Sequence, residues 1–329
     1  MLTGSGLSYK TKQFFFVLIK LSIVVGTGYF IFQKLTNNPD LDFSDFGGFL
    51  VKNDIFTSKN IIFLLFLTII NWFLEILKWQ NLVSVVKNIS FFESLKQSLA
   101  SLTASLFTPN RIGDYAAKAI YFDGKHRGKI LLLNLLSNMA QMGATLFFGI
   151  VGLLIFINTY EVDVSYYKMV RVLTYAIIVL TFAGVGATYK KFKIRGHSVI
   201  DVLNYVKRIS LKVYSKNILL SLVRYLVFSF QFYYLLSLFN VSLSYYDAMI
   251  IISTMYLLIS VIPTIFIFDV VVKGGLAIYL FDLAGVNNLT VLCVTTLMWL
   301  LNFVLPSVFG SYYVLNFNIN EAFKTNPDD

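Results

Sequence analysis

The chain has 329 residues, of which 57% are hydrophobic and 13% are charged, against about 25% charged in an ordinary soluble domain. Its net charge is +10 and its mean hydropathy is +0.73. This composition excludes a water-soluble domain and predicts an all-α, polytopic integral membrane protein, because helices satisfy all their backbone polar groups in lipid. A β-barrel would instead have shorter runs of alternating polarity.

Six apolar runs are predicted to span the membrane within a single transmembrane domain, 1–329. Each is long enough to cross a hydrocarbon core that needs about 20 residues of helix. The runs are 13–33, 60–83, 130–158, 170–189, 217–239 and 288–317. Basic residues lie before the first run and a slightly acidic loop follows it, so the N-terminus is expected to be cytoplasmic. Six crossings then place the C-terminus on the same side, in a plasma (inner) membrane.

The positive charge lies in loops between the apolar runs, which the positive-inside rule explains without nucleic acid as a partner. The loop 190–216 is the most basic, and apolar residues recur at helical spacing over Ser198–Val213. This pattern predicts either an interfacial amphipathic helix on an anionic leaflet or a plain orientation signal. The single cysteine, Cys293, excludes a disulfide within the chain, and His126 and His197 lie in basic loops. No cofactor and no metal site are predicted.

Two predicted spans carry polar side chains along one face. Asn71 and Glu75 are followed by Lys78 in the second run, and Asn134, Asn138 and Gln141 lie together in the third. The i, i+4 and i+7 spacing places such residues on one side of a helix. Two interpretations stay open, namely packing against neighbouring helices and the lining of a polar cavity.

A helix break is predicted in the segment 92–121. The apolar run up to Phe107 is cut at Pro109, and Arg111, Gly113 and Asp114 follow at once. From Ser98 to Phe107 the helix would be only about 15 Å long. Basic loops lie on both sides of this segment, so the sequence predicts a re-entrant hairpin that enters from the cytoplasm and returns.

A second break is predicted in the segment 247–283. Pro263 interrupts an apolar helix, and Asp269, Lys273, Gly274 and Gly275 precede the next short helix. If this hairpin enters from outside, the two breaks form an inverted repeat, an arrangement that places a transport site near the membrane midplane. Arg111, Asp114, Asp269 and Lys273 are therefore candidate substrate-binding residues. The alternative is that they form two structural ion pairs at interfacial depth.

These residues carry a resemblance to the flippase-like transmembrane family named after lysylphosphatidylglycerol synthases. TPNRIGD resembles a family pattern close to P-x-R-x-G-E, and IPTIFIFDVVVKGG and LMWLLNFVLPSVFG resemble two further family segments. Relatives often have Glu at the position of Asp269 and Arg at the position of Lys273. The resemblance implies a membrane protein that moves or presents lipids. The soluble aminoacyl-transferase domain of bifunctional relatives is expected to be missing, so lysyl transfer is not predicted.

The favoured hypothesis is a flippase-like transporter of an anionic or phosphate-bearing lipid that is not itself an enzyme. Two alternatives remain. The first is a membrane-embedded enzyme that modifies lipids, with Asp114 or Asp269 as a base, although the sequence shows no nucleophile with a base and an orienting group. The second is a scaffold subunit for a partner enzyme. Membrane lipids are the expected partners, and a partner enzyme or a homo-oligomer is left open.

Overall fold

A computed structural model describes residues 57–106, 108, 113–160, 193–194, 197–261 and 269–317, together with Val25. The described chain is built almost entirely from helices, as the composition predicts for an all-α membrane protein. Its helices are α1 (Ser58–Val83), α2 (Phe91–Ser105), α3 (Gly113–Ala119), α4 (Gly124–Thr159), α5 (Val199–Arg208), α6 (Leu211–Leu238), α7 (Tyr245–Val261), α8 (Asp269–Asp282), α9 (Asn288–Trp299) and α10 (Leu305–Leu315).

Four helical segments among the described residues are long and apolar enough to cross a membrane. They are α1, α4, α6 and the segment from α9 through α10, with 26, 36, 28 and 28 residues. Their large exposed apolar side chains, such as Phe66, Phe147 and Phe309, have the character of a lipid-facing surface. The predicted runs 13–33 and 170–189 lie outside the described residues, so the count of six spans stays a prediction.

The first predicted break separates α2 from α3. Ser90 begins α2 with a capping box, in which its hydroxyl accepts from Glu93 N and the Glu93 carboxylate accepts from Ser90 N. After α2 ends, the Thr108 hydroxyl donates to Ser105 O at 2.7 Å and accepts from Gly113 N at 3.0 Å. A Cβ on Gly113 would lie 2.5 Å from Ala104 O. Glycine therefore allows α3 to begin close against the end of α2.

The last span contains a π-helical turn, Leu300–Val304, between α9 and α10. Pro306 has no N–H and cannot bond the carbonyl four residues earlier, that of Asn302. Trp72 Nε1 donates to that carbonyl instead, at 3.1 Å. The irregular turn thus lies just before Pro306. Gly310 allows α10 to lie directly against Leu99 O and Thr103 of α2.

Helices α4 and α7 also approach closely through glycine. A Cβ on Gly149 would meet Leu257, and a Cβ on Gly152 would meet Ser253. Small residues permit such close helix approach in membranes, where lipid gives helices no hydrophobic reason to associate. Glycine in α4 therefore sets how near α7 can lie.

Two groups of buried apolar residues occupy different parts of the bundle. The basic-end cluster joins Val83, Ile89, Phe122, Ile130 and Ile209 with their neighbours, and basic residues such as Lys87, Lys129 and Lys212 lie beside these positions in the chain. The second cluster, called the far-end cluster, contains Phe156, Phe239, Ala248, Phe281 and Val291 among others. Helices α1, α4 and α6 each have one end in the basic-end cluster and the other end in the far-end cluster.

Only a part of the basic loop 190–216 is described. Lys193–Ile194 (β1) and His197–Ser198 (β2) form a minimal antiparallel pair, with Lys193 opposite Ser198. Helix α5 follows at once and lies within the stretch predicted to be helical and amphipathic. Ile209, just after α5, is buried in the basic-end cluster. This contact holds the end of the loop against the bundle.

Candidate functional site

A cavity of about 310 Å³ lies between α1, α2, α3, α4, α6 and the π-helical turn. Its walls combine aromatic and polar side chains from helices that are far apart in the sequence. The lining residues are Trp72, Glu75, Ser98, Asp114, Tyr115, Lys118, Asn138, Arg224 and Phe303. A cavity of this size is at the lower end of the range for small-molecule sites.

Glu75 of α1 is the centre of the charged network at this cavity. Its Oε2 accepts from Arg224 Nη1 of α6 at 2.8 Å and from Lys78 Nζ at 3.3 Å. Its Oε1 lies 4.0 Å from Lys118 Nζ of α3. The Glu75 side chain is 13% exposed and that of Lys78 is 1% exposed. Three cations therefore compensate one largely buried carboxylate, as buried charge requires.

Lys118 connects Glu75 to a second carboxylate. Its Nζ lies 3.5 Å from Asp114 Oδ1 and donates to Asn134 Oδ1 at 2.9 Å. Asn134 Nδ2 in turn donates to Asp114 Oδ2 at 2.7 Å, which fixes the orientation of that carboxylate. Lys118 Nζ also lies 4.8 Å from the centre of the Trp79 ring, in cation–π geometry. Helix α3 is thus joined through its charged side chains to α1 and α4.

The network has more positive than negative charge. Among the described residues it contains three cations, Lys78, Lys118 and Arg224, and two carboxylates, Glu75 and Asp114. The difference, three minus two, leaves one positive charge in excess when all five are ionised. The four charged residues that line the cavity, Glu75, Asp114, Lys118 and Arg224, balance in sign, and the excess comes from the buried Lys78 beside Glu75.

A chain of amides extends the network away from the charges. Asn71 Oδ1 accepts from Arg224 Nε at 3.0 Å, and Asn71 Nδ2 donates to Asn302 Oδ1 at 2.8 Å. Asn302 Nδ2 donates to Gln231 Oε1 at 2.9 Å, and Gln231 Nε2 reaches Thr68 Oγ1 at 2.9 Å. All these residues are buried apart from Arg224. Asn71, at the end of this series of amides, therefore holds Arg224 through a hydrogen bond that does not involve Glu75.

The structure brings six of the predicted residues into this region. Glu75, Asp114 and Asn138 line the cavity, and Asn138 Nδ2 donates to Tyr115 Oη at 2.8 Å. Asn71 and Asn134 lie behind the lining in the hydrogen bonds described above. Gln141 Oε1 accepts from Lys78 Nζ at 3.3 Å, and Gln141 Nε2 contacts Ser221 O at 3.4 Å. The two predicted polar faces therefore meet across α1 and α4.

Other predicted residues are not brought into the described site. Pro109, Arg111 and Pro263 lie outside the described residues. Asp269 and Lys273 fall in the first turns of α8, with side chains outside the described part of the structure. Gly113 begins α3, at the break itself. Gly274 and Gly275 were predicted at the second break, but α8 begins at Asp269 and continues through both.

Lys118, Arg224 and Asn302 also belong to the site, although they were not predicted as site residues. Lys118 is four residues after Asp114, the spacing of an ion pair on one helix face. Arg224 is a single charge within the apolar run 217–239, and an ionisable residue inside a span is by itself a sign of function. The contacts of Asn302 depend on the π-helical turn and have no such local signal.

Metal chemistry has no support in the described part of the chain, where no three His, Cys, Asp or Glu side chains lie together. The carboxylates of Glu75 and Asp114 are instead paired with lysine, arginine and asparagine donors. The arrangement can bind a polar group in a space between apolar helices.

Comparison with known proteins identifies the family. Residues 17–310 match the family described as the lysylphosphatidylglycerol synthase TM region, which is nearly the whole chain. A search of curated proteins finds no match. Four long apolar helices and a match to a transmembrane family agree that this is a membrane protein. The extent of the match shows that the chain belongs to the lysylphosphatidylglycerol synthase TM region family.

Proposed function

We propose that this protein is a flippase-like transporter of the inner membrane that moves or presents an anionic or phosphate-bearing lipid. One observation carries the proposal: five charged side chains form a network with an excess of one positive charge, and four of them, Glu75, Asp114, Lys118 and Arg224, line a cavity between apolar helices. In this mechanism the polar headgroup enters the cavity while the acyl tails remain in the bilayer. Family membership agrees with a lipid-related role.

The energetic argument concerns the cost of the charges. One charged side chain near the bilayer centre costs about 2.5–3.5 kcal/mol on insertion scales. Pairing reduces that cost, but replacement of a buried ion pair by apolar residues of similar volume is often neutral or stabilising. A network of five such residues is therefore poorly explained by stability alone. A role in receiving a polar ligand accounts for both the charges and the cavity between them.

The positions of the two clusters support re-entrant hairpins. Ile89 before α2 and Phe122 after α3 both belong to the basic-end cluster. Ala248 near the start of α7 and Phe281 near the end of α8 both belong to the far-end cluster. Each broken pair of helices thus starts and returns near one cluster, and the clusters differ. This is the pattern that an inverted repeat requires.

The same arrangement supports the proposed orientation. Basic residues concentrate around the basic-end cluster, and by the positive-inside rule this end faces the cytoplasm. The cavity would then open in the cytoplasmic half, since Glu75 lies eight residues before Val83, about 12 Å along α1. Both termini would be cytoplasmic, and α5 would lie on the anionic leaflet.

The remaining predicted residues complete the proposed route. Arg111 would meet the headgroup at the first break, where its planar guanidinium fits a phosphate. Asp269 and Lys273 would act at the second break, on the opposite side. Asp114 would hold basic groups in place when no lipid is bound.

Transport of fluorescent lipids in proteoliposomes tests the proposal. Arg224→Gln should slow translocation of a fluorescent phosphatidylglycerol by about tenfold or more, the effect of losing roughly 1.4 kcal/mol. Lys216→Gln removes one exposed charge from the same helix and should transport at the wild-type rate. If lipid translocation is unchanged both in Arg224→Gln and in the double variant that combines Arg111→Ala with Asp269→Ala, the proposed mechanism of headgroup transport is wrong. A covalent lipid species missing from a deletion strain would favour an enzyme instead.

A further inference from the structure

Ser98 differs from the other buried hydroxyl residues of α2. Ser101 and Ser105 donate to carbonyls three residues earlier, Ser94 donates to Ile76 O, and Thr103 donates to Leu99 O and Ser307 O. The Ser98 hydroxyl is buried and has no hydrogen-bond partner in the described part of the chain. Ser98 is 3% exposed and lines the cavity.

A buried hydroxyl without a partner is destabilising, because it has lost its hydrogen bonds to water and gained none. The hydroxyl of a serine in a helix can usually donate a hydrogen bond to a carbonyl of the preceding turn, as those of Ser101 and Ser105 do. Ser98 instead keeps a donor at the wall of a polar cavity. A ligand in that cavity would supply the missing acceptor.

The carboxylate oxygens at the cavity are already used by the protein. Both oxygens of Glu75 face cations, and the two oxygens of Asp114 face Lys118 and Asn134. The donors are in excess. Arg224 uses Nε and Nη1 for Asn71 and Glu75, and no described residue accepts from its Nη2. A guanidinium carries five N–H donors, so Nη2 remains able to bind an acceptor.

We propose that Ser98 Oγ and Arg224 Nη2 donate together to the acidic oxygens of a phosphate group in the cavity. Ser98 is then a specificity-determining residue, which separates phosphate-bearing headgroups from neutral ones. The inference rests on the proposed lipid-binding function and assigns its contacts. The Arg224 guanidinium supplies attraction, and the Ser98 hydroxyl supplies a directed hydrogen bond that a neutral headgroup without acidic oxygens would use less well.

Binding of soluble short-chain lipids to the detergent-solubilised full chain tests this assignment. The probes are dihexanoylphosphatidylglycerol, dihexanoylglycerol, which lacks the phosphate, and inorganic phosphate. Ser98→Ala should raise the Kd for dihexanoylphosphatidylglycerol about tenfold or more, as expected for a lost hydrogen bond to a charged group. The weak affinity for dihexanoylglycerol should not change.

Ser101→Ala is the matched control, since it removes a buried hydroxyl from the same helix that is already satisfied by a backbone carbonyl. It should leave the Kd of each probe unchanged. Thermal unfolding separates binding from folding. Ser98→Ala removes an unpaired buried hydroxyl, so the lipid-free variant should have a Tm equal to or above that of the wild type.

Each outcome gives a distinct answer. Equal effects of Ser98→Ala on both dihexanoyl lipids, or no effect on either, would overturn the assignment of Ser98. If only Arg224→Gln weakens dihexanoylphosphatidylglycerol binding, the proposed function stands and the Ser98 contact fails. If inorganic phosphate binds the wild type as tightly as the lipid, the site still binds phosphate oxygens, but the proposal that the phosphate belongs to a lipid headgroup is overturned. If no probe binds the wild type, both proposals fail.

Discussion

Arg224 Nη1 donates to Glu75 Oε2 across 2.8 Å and joins α6 to α1 at the cavity wall. The Glu75 carboxylate is 13% exposed and the Arg224 side chain is 22% exposed. The two residues are 149 positions apart in the chain. Their contact is the closest of the ion pairs described around the cavity, and it connects the charged network to the amide chain through Asn71.

Glu75→Gln should be strongly destabilising. The substitution leaves Lys78 and Lys118 near a neutral amide, and removal of one partner of a buried ion pair costs about 3–5 kcal/mol. Thermal unfolding in detergent measures this loss. Lys216→Gln, which removes an exposed charge from α6, should change stability by less than about 0.5 kcal/mol. A Glu75→Gln protein with the Tm of the wild type would contradict the central position of Glu75.

Asn302→Ala should destabilise the bundle by about 1–3 kcal/mol, because it leaves buried amide groups of Asn71 and Gln231 unpaired. The variant also removes the hydrogen bond that holds the Asn71 amide, which in turn orients Arg224, so a decrease in lipid translocation should accompany the lower Tm. Asn316→Ala is the control. Asn316 is exposed and its amide contacts only the nearby Tyr312 carbonyl. Equal effects of both substitutions would argue against the amide chain.

Gly152→Ala should destabilise the contact between α4 and α7, since its Cβ would overlap Ser253. Overpacking of this kind costs about 1–3 kcal/mol. Gly143→Ala lies in the same helix, where a Cβ has no atom within 4 Å. It should be neutral or stabilising by up to about 1 kcal/mol, the difference in helix propensity. The comparison of the two Tm values isolates the packing effect, and a Gly152→Ala variant as stable as Gly143→Ala would count against it.

Ser90→Ala should weaken the start of α2 by about 1 kcal/mol, the usual cost of an N-cap hydroxyl. The Ser90 backbone N–H and hydroxyl hold the pKa of the Glu93 carboxyl below its ordinary value. A lowered folded-state pKa gives stability that is present above the unfolded pKa and is lost as the pH falls through the folded pKa. The Tm difference between Ser90→Ala and wild type should therefore shrink in acid. Because Ser90→Ala keeps the backbone N–H, a difference independent of pH would exclude a contribution of the Ser90 hydroxyl to the lowered pKa of Glu93.

Cysteine labelling tests the orientation of the two breaks. In a Cys293→Ala background, Arg111→Cys should react with a membrane-impermeant maleimide from the cytoplasmic side and Lys273→Cys from outside. Cys293 is the single native cysteine, so in this background only the introduced cysteine can react. Labelling of both introduced cysteines from the same side would refute the inverted repeat.

Sequence patterns located part of the site in advance. The spacing of Asn71 and Glu75 and that of Asn134, Asn138 and Gln141 predicted polar faces on two helices, because helical periodicity is a local property. Their use as cavity wall or helix contact stayed open, and the structure contains both arrangements. Asn138 lines the cavity, whereas Asn134 lies buried behind it. That division depends on where neighbouring helices lie.

The partners of these residues could not be read from the chain. Arg224 is an isolated charge in an apolar segment, Lys118 has Asp114 as its local partner, and no local rule assigns either cation to Glu75. Their pairing depends on the crossing of α1, α3 and α6. Similarly, Pro306 predicts a disturbed helix, but only the bundle decides that Trp72 satisfies the freed carbonyl of Asn302.

The sequence by itself determined that this is an all-α membrane protein of a lipid-related family, because apolar length and backbone hydrogen bonding in lipid leave few other folds. It also predicted a helix break in the segment where α2 ends and α3 begins. The tertiary structure alone decided which charges share one cavity and left the Ser98 hydroxyl beside it. Long-range pairing depends on helix positions in three dimensions, and those positions are set by the close contacts of Gly149, Gly152 and Gly310 with other helices.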